Sequence, residues 1–243
     1  RFGAVDYLAE VWVNGQPVGG HEGGETPFTL DVTSAIRPGQ KNLLAVRVLN
    51  PSERRAIDGY LLKQTPSGDK HDFVESNVMF NSGGIVESVE FLIVPAVRLT
   101  DLHVLPNWKT GEILVKATIH NAASPADVSA QFAVAANKGG KTINTSTRTA
   151  RAENGDSVVE ATLRVPGHQL WTIDAPFLYR VTANIQMTGD SSVDRQSVRC
   201  GFRDFRYENG YFRLNGKRIF LNGVYYLPYF PVTYTMPHDP ELI

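Results

Sequence analysis

Cysteine is almost missing: Cys200 is the only one in 243 residues. No disulfide can close within the chain, so it is not one of the small secreted scaffolds held together by such bridges. Excess charge is missing too. The 24 Lys and Arg stand against 25 Asp and Glu, for a formal net charge of −1, and no basic run breaks the balance. Nucleic-acid binders draw much of their affinity from phosphate neutralisation, so no nucleic-acid partner is expected. No apolar stretch approaches the roughly 18 residues that suggest a membrane-spanning helix, so no membrane partner is expected either. Long amphipathic helices, heptads, short repeats and low-complexity tracts are all lacking. The first residues, Arg1-Phe2-Gly3-Ala4-Val5-Asp6, carry no Met and no charged leader, and they open inside strand-like sequence. The last, Asp239-Pro240-Glu241-Leu242-Ile243, resemble the start of a helix, with Asp239 as cap and Pro240 at the first position. Both ends read as cuts through a longer protein.

The sequence is instead rich in a period of two. Val11-Trp12-Val13 runs into Asn14-Gly15, the strongest short-range hairpin signal because both turn positions need positive φ. Leu43 to Leu49 is apolar at almost every position, as for a strand buried on both faces. Val89-Glu90-Phe91-Leu92-Ile93-Val94 reads as a last strand stopped by Pro95. Residues 1–95 therefore read as part of one antiparallel sandwich. Alternation is cleaner further on. Ile113, Val115, Ala117 and Ile119 form one apolar face; Val128, Ala130, Phe132 and Val134 another. Val159, Ala161, Leu163 and Val165 follow, then Val181, Ala183, Ile185 and Met187. Turns are expected at 107–111, 136–140, 153–156 and 189–191. About seven strands in roughly 100 residues describe an immunoglobulin-like sandwich.

A third segment starts near Gly201. Phe212-Arg213-Leu214-Asn215-Gly216-Lys217-Arg218-Ile219 is a second Asn-Gly hairpin. Its register sets Phe212 opposite Ile219 and Arg213 opposite Arg218. Like charges in that position repel, and Asp204 or Glu208 is near enough in sequence to relieve them. Beyond Gly223 come Tyr225, Tyr226, Pro228, Tyr229, Phe230, Pro231, Tyr234 and Pro237, an aromatic and proline-rich segment that reads as an ordered loop packed on something large.

Four stretches together resemble glycoside hydrolase family 2, the group of β-galactosidases, β-glucuronidases and β-mannosidases. They are Val11-Trp12-Val13-Asn14-Gly15 with Gly19, His21, Gly23-Gly24, Pro27-Phe28 and Asp31-Val32; Ser82-Gly83-Gly84-Ile85; Leu170-Trp171 with Asp174, Pro176 and Leu178-Tyr179; and Gly201-Phe202-Arg203 with Phe212, Leu214-Asn215-Gly216-Lys217 and Leu221-Asn222-Gly223. The resemblance implies an all-β chain with three parts. Residues 1–95 would be a partial jelly-roll sandwich, 96–200 an immunoglobulin-like sandwich, and 201–243 the entry hairpin and first loop of a (β/α)₈ barrel. Such a barrel needs about 250 residues, and 43 remain from Gly201.

The family's chemistry is retaining hydrolysis of O-glycosidic bonds by two glutamates, a reaction that needs two carboxyl groups about 5–5.5 Å apart. No position here matches either glutamate motif, so no catalytic, metal or cofactor-binding residue is assigned and no cofactor is expected. The chain alone is expected to be inactive, and its carbohydrate substrate is expected to bind through barrel residues outside it. The resemblance places Tyr225, Tyr226, Tyr229, Phe230, His238 and Asp239 at the rim of the substrate pocket. Departures weaken transfer of a sugar specificity, though a β-galactosidase-like parent is the first expectation. Leu221-Asn222-Gly223-Val224-Tyr225-Tyr226 lacks the Arg and His of the family's Arg-Gly-Val-Asn-x-His run. Val86 and Glu87 stand where Trp and Arg are usual. Residues 72–81 hold Glu75, Asn77 and Asn81 but no loop motif.

Other residues invite functional readings and have simpler ones. Trp12 and Trp171 could be sugar platforms, but core or edge packing accounts for both, while Trp108 by its Pro-Asn turn is expected to be exposed. His21 has no metal-ligand spacing around it and is expected to hydrogen-bond nearby backbone. Asn144-Thr145-Ser146 fits a glycosylation sequon that is common by chance. Cys200 is expected as a small core residue ending an apolar-rich strand. Two further readings stay open: a stand-alone carbohydrate-binding module, and a structural spacer. Self-association is expected if the segment 225–234 is exposed. The compartment, bacterial-type cytoplasmic or periplasmic or extracellular, stays open.

Overall fold

The computed structural model describes residues 1–24, 26–51, 58–59, 83–189 and 193–224. Among them every regular element is a β-strand and all paired strands run antiparallel. The chain divides into two compact units, one holding residues 1–93 and the other 94–224.

The first unit has β1 (Val5–Asp6), β2 (Leu8–Val13), β3 (Gln16–Glu22), β4 (Leu44–Leu49) and β5 (Gly84–Ile85). The sheet β3-β2-β4 is built on the predicted hairpin, with φ of 52° at Asn14 and 82° at Gly15. A two-stranded pair β1-β5 accompanies it. Alternation on β2 sends Ala9, Val11 and Val13 inward, where Ala9 and Val11 join Phe2 and Val5 with Phe28, Leu30, Val46 and Val48 packed around them. Two expectations fail here. Strand β4 is not buried on both faces: Leu43 and Leu44 are exposed, and only its inner residues reach the core. Residues 89–94 form no strand beyond a single bridge, Phe2 to Val89. Arg1 and Glu90 still exchange backbone hydrogen bonds, with Phe91 to Val94 beyond that last rung and exposed.

The second unit is the sandwich that the alternating segments predict. Its strands are β6 (Val97–Asn107), β7 (Glu112–Asn121), β8 (Ala126–Ala136), β9 (Thr142–Ala152), β10 (Gly155–Arg164), β11 (Tyr179–Met187) and β12 (Val193–Cys200). They form two sheets, β10-β7-β6 and β12-β11-β8-β9. The four predicted apolar faces meet between them, and Ile113, Val115, Ile119, Phe132, Val134, Leu163 and Val181 are each fully buried. Burying one such side chain is worth about 1.5–3 kcal/mol. A bulge at Leu99–Asp101 in β6 leaves backbone groups without ladder partners. Strand β12 supplies them: the Leu99 amide donates to Asp194 at 2.7 Å, and Gln196 donates to the Leu99 carbonyl at 2.7 Å. The two sheets are thus sewn together along one edge. Buried Asn121, at the same end of the strands, ties β7 to β9, donating to Ser124 and Ala152 carbonyls and accepting from the Ala123 amide.

A three-stranded sheet follows, β13 (Phe205–Glu208), β14 (Tyr211–Leu214) and β15 (Lys217–Arg218), in the order β13-β14-β15. Its register is the predicted one. Arg213 faces Arg218, and the Ile219 amide bonds the Phe212 carbonyl.

Candidate functional site

On the first unit, an open groove of about 520 Å³ lies along β2 and β3. Ala9 and Val11 point into the core, so the groove occupies the opposite face, where Leu8, Glu10 and Trp12 alternate outward. Two features shape it. Gly20 stands opposite Glu10, and a Cβ there would come within 2.4 Å of the Ala9 carbonyl oxygen. The floor is therefore bare backbone. Of the groove's lining residues Glu10 is charged and paired: Arg47, opposite it on β4, is bound by the Glu10 and Asp58 carboxylates. At the far end Tyr7 donates to Glu22 at 2.6 Å. Half-buried Trp12 is thus part of an open, mixed surface with Leu8 and Pro17 and not of the core.

On the second unit, the Asn215 turn is anchored by its own side chain. Asn215 donates to the Trp171 carbonyl at 3.0 Å and accepts from the Asp204 amide at 2.9 Å. The Asn215 amide donates in turn to the Asp204 carbonyl at 2.8 Å. Arg203 lies over the Trp171 ring, 5.0 Å from its centre. One face of Trp171 is thereby occupied. The predicted repulsion among arginines is relieved by Glu208, 3.3 Å from Arg213 and 3.7 Å from Arg206, while Asp204 lies 3.3 Å from Arg206. Arg218 finds the face of Tyr211, 3.7 Å from the ring centre. Phe205, Tyr207 and Phe212 cluster on the other side of this sheet and are exposed.

The remaining candidates sort as follows. Tyr225, Tyr226, Tyr229, Phe230, His238 and Asp239 lie outside the described residues, as do Glu75, Asn77 and Asn81. Trp108 is not exposed as expected; it packs against the sandwich core, and its carbonyl accepts from His168 at 2.8 Å. Among the described residues His21 finds a side chain and not backbone: its Nε2 meets Thr26 Oγ1 at 2.7 Å and its ring stacks on Phe28 at 4.6 Å. Cys200 is buried in the core, and burial pushes its thiol up to about 11. The strand it ends is mostly polar, Val193-Asp194-Arg195-Gln196-Ser197, and not apolar-rich. The sequon at Asn144 falls within β9. The groove on β2–β3 was missed by sequence reading, since nothing in the alternation of a strand tells which face is left open.

The family model described as "Glycosyl hydrolases family 2, sugar binding domain" matches residues 1–95, and that described as "Glycosyl hydrolases family 2" matches residues 97–203. The chain belongs to glycosyl hydrolase family 2. Among its family 2 relatives, a putative β-glucuronidase of Formosa agariphila is 31% identical over 227 residues, covering 92% of this chain and 25% of the relative. A β-galactosidase of Priestia megaterium is 25% identical over 229 residues, covering 92% of this chain and 20% of the relative. The fold of Bacteroides uniformis β-glucuronidase 2 superposes with a TM-score of 0.69 at 21% identity, over 92% of this chain and 26% of that one. The chain thus spans about a fifth to a third of the length of its curated relatives. Among the described residues, no helix is long and apolar enough to cross a membrane.

Proposed function

We propose that this chain is the non-catalytic front part of a retaining glycoside hydrolase acting on O-glycosidic bonds, with a β-galactoside as the first substrate to test and a β-glucuronide as the second. The tandem match of both family 2 models along the two sandwich units carries this reading. In it, the first unit is the jelly-roll part and the second the immunoglobulin-like part. The hairpin β13–β15 is the entry to a barrel, and Tyr225, Tyr226, Tyr229, Phe230, His238 and Asp239 line its rim. Retaining hydrolysis needs an acid and a nucleophile on either side of the scissile bond. The charged groups positioned here do other work: Glu10 and Asp58 neutralise Arg47, and Glu208 neutralises two arginines.

The test is an assay of two polypeptides with aryl β-galactosides and β-glucuronides. The 243-residue chain is expected to release no aglycone. The full-length product of the parent gene is expected to release it with retention of anomeric configuration. Turnover by the 243-residue chain, or inversion by the parent, overturns the reading.

A further inference from the structure

The outer face of the four-stranded sheet β12-β11-β8-β9 carries two charges that no described residue compensates. Tyr179, Val181 and Cys200 point into the core, so Arg180 and Arg199 point outward, and the register sets them directly opposite each other. Side chains so placed have Cβ atoms about 4.5–5.5 Å apart, and like charges there destabilise the pair. Among the described residues neither arginine has an ion-pair partner. The molecule's other opposed arginines are treated differently. Arg206 faces Arg213 and Arg213 faces Arg218, and those three are relieved by Glu208, Asp204 and the Tyr211 ring. Arg151, on the same outer sheet, lies between Asp127 and Glu153. An uncompensated cross-strand pair is a cost the fold bears without a structural return.

We propose that this face binds an acidic oligosaccharide, with the guanidinium groups of Arg180 and Arg199 as a paired anchor for its carboxylate or sulfate groups. The inference rests on the carbohydrate-active reading above. Two planar guanidiniums side by side present forked donors that match an oxyanion. The surroundings suit a ligand lying flat. Arg180 and Thr182 are flanked on β8 by Ala135 and Ala133, and Thr182 and Ser197 share a hydrogen bond at 2.9 Å. Arg195, exposed on the same face of β12, stands four residues from Arg199, about 13 Å at the rise of a strand. A second anionic group on an extended ligand would meet it there. The wider field agrees: residues 94–224 carry 16 Lys and Arg against 11 Asp and Glu. Single-stranded nucleic acid is disfavoured, because Ala133, Ala135, Thr182, Asn184, Ser197 and their neighbour Gln131 offer no aromatic ring for bases to stack on.

The test is isothermal titration of the 243-residue chain and of Arg180→Gln, Arg199→Gln and the double variant, at low and moderate salt. The probes are oligogalacturonate, dextran sulfate, neutral dextran and single-stranded DNA. Wild type is expected to bind one or both anionic glycans, the two arms telling carboxylate from sulfate recognition, and to ignore neutral dextran. Each single variant is expected to lose about tenfold and the double variant to match neutral dextran. Arg180→Gln is also expected to raise Tm by about 1–2 °C, since it removes the repulsion; this arm stands even if the double variant does not fold. Absence of binding to both anionic glycans, undiminished binding by the variants, equal or tighter binding of DNA, or a lowered Tm in Arg180→Gln overturns the proposal. Glycan binding beside an inactive parent enzyme would leave this inference standing and remove the hydrolase reading; an active parent without such binding would do the reverse.

Discussion

Asn215 lets one substitution pair separate a backbone effect from a side-chain effect. Its φ of 51° lies in the left-handed region, and its amide group bridges the Trp171 carbonyl and the Asp204 amide. Asn215→Gly keeps the conformation and loses both hydrogen bonds. At about 1 kcal/mol each, that is about 2 kcal/mol. Asn215→Ala loses the same bonds and, unlike glycine, keeps a Cβ in the left-handed region without the polar side chain that lets asparagine tolerate it, at least about 1 kcal/mol more, for about 3 kcal/mol in all. The readout is hydrogen exchange of the Asn215 and Ile219 amides, which close this hairpin onto Asp204 and Phe212. Because exchange reports local opening, protection should fall by about 30-fold in the glycine variant and by more than 100-fold in the alanine variant. Equal protection in the two variants would refute the backbone contribution. Protection within threefold of wild type in both would refute the anchor itself.

Three further outcomes follow from other sites. Gly20→Ala forces a Cβ onto the Ala9 carbonyl oxygen and is expected to lower stability by about 1–3 kcal/mol in urea unfolding; a silent substitution would mean β2 and β3 are not held so closely. Cys200, whose thiol is raised from 9.0 to about 11 by burial, stays protonated in the fold while the unfolded chain ionises first. Stability is therefore intact below pH 9 and falls by about 2–3 kcal/mol as pH rises from 9 to 11, and Cys200→Ala is expected to flatten that slope in denaturation across this window. Glu208→Gln removes the carboxylate shared by Arg206 and Arg213; these groups are partly exposed, so the expected loss is about 0.5–1 kcal/mol, shrinking in 0.5 M salt. A Tm unchanged at low salt would show that the arginines are relieved by solvent alone.

The sandwich of the second unit was legible because each core strand carries one unbroken apolar face, from Ile113 to Ile119 and from Val181 to Ile185. The edge strands β9 and β12 were harder to see. Thr142–Ala152 is mostly threonine, arginine and alanine, and its place is fixed by pairing with β8, not by its own pattern. In the first unit, composition misled. Leu43–Leu49 and Phe91–Val94 are apolar enough for buried strands, yet burial depends on what covers a strand as well as on the strand itself. Trp108 shows the same limit, because its turn is local and the His168 that holds its carbonyl is distant in sequence.

Of the three Asn-Gly hairpins, at Asn14, Asn209 and Asn215, the first and last show how a local signal can carry tertiary information. Either Asn-Gly or Asp-Gly satisfies the turn, so the turn does not explain why both first positions are asparagine. The surroundings do. Asn14 donates to the Ala35 carbonyl at 2.8 Å and accepts from the Leu43 amide at 3.0 Å, as Asn215 donates to Trp171 and accepts from Asp204. Each side chain must be donor and acceptor at once, tying its hairpin tip to two segments remote in sequence. A carboxylate can only accept. Asn14→Asp keeps shape and turn preference but sets a negative oxygen against the Ala35 carbonyl. Stability should therefore fall by about 1–3 kcal/mol at neutral pH, with partial recovery at low pH, where the protonated acid can donate again. Equal stability of Asn14→Asp and wild type at neutral pH would return both asparagines to the role of turn formers alone.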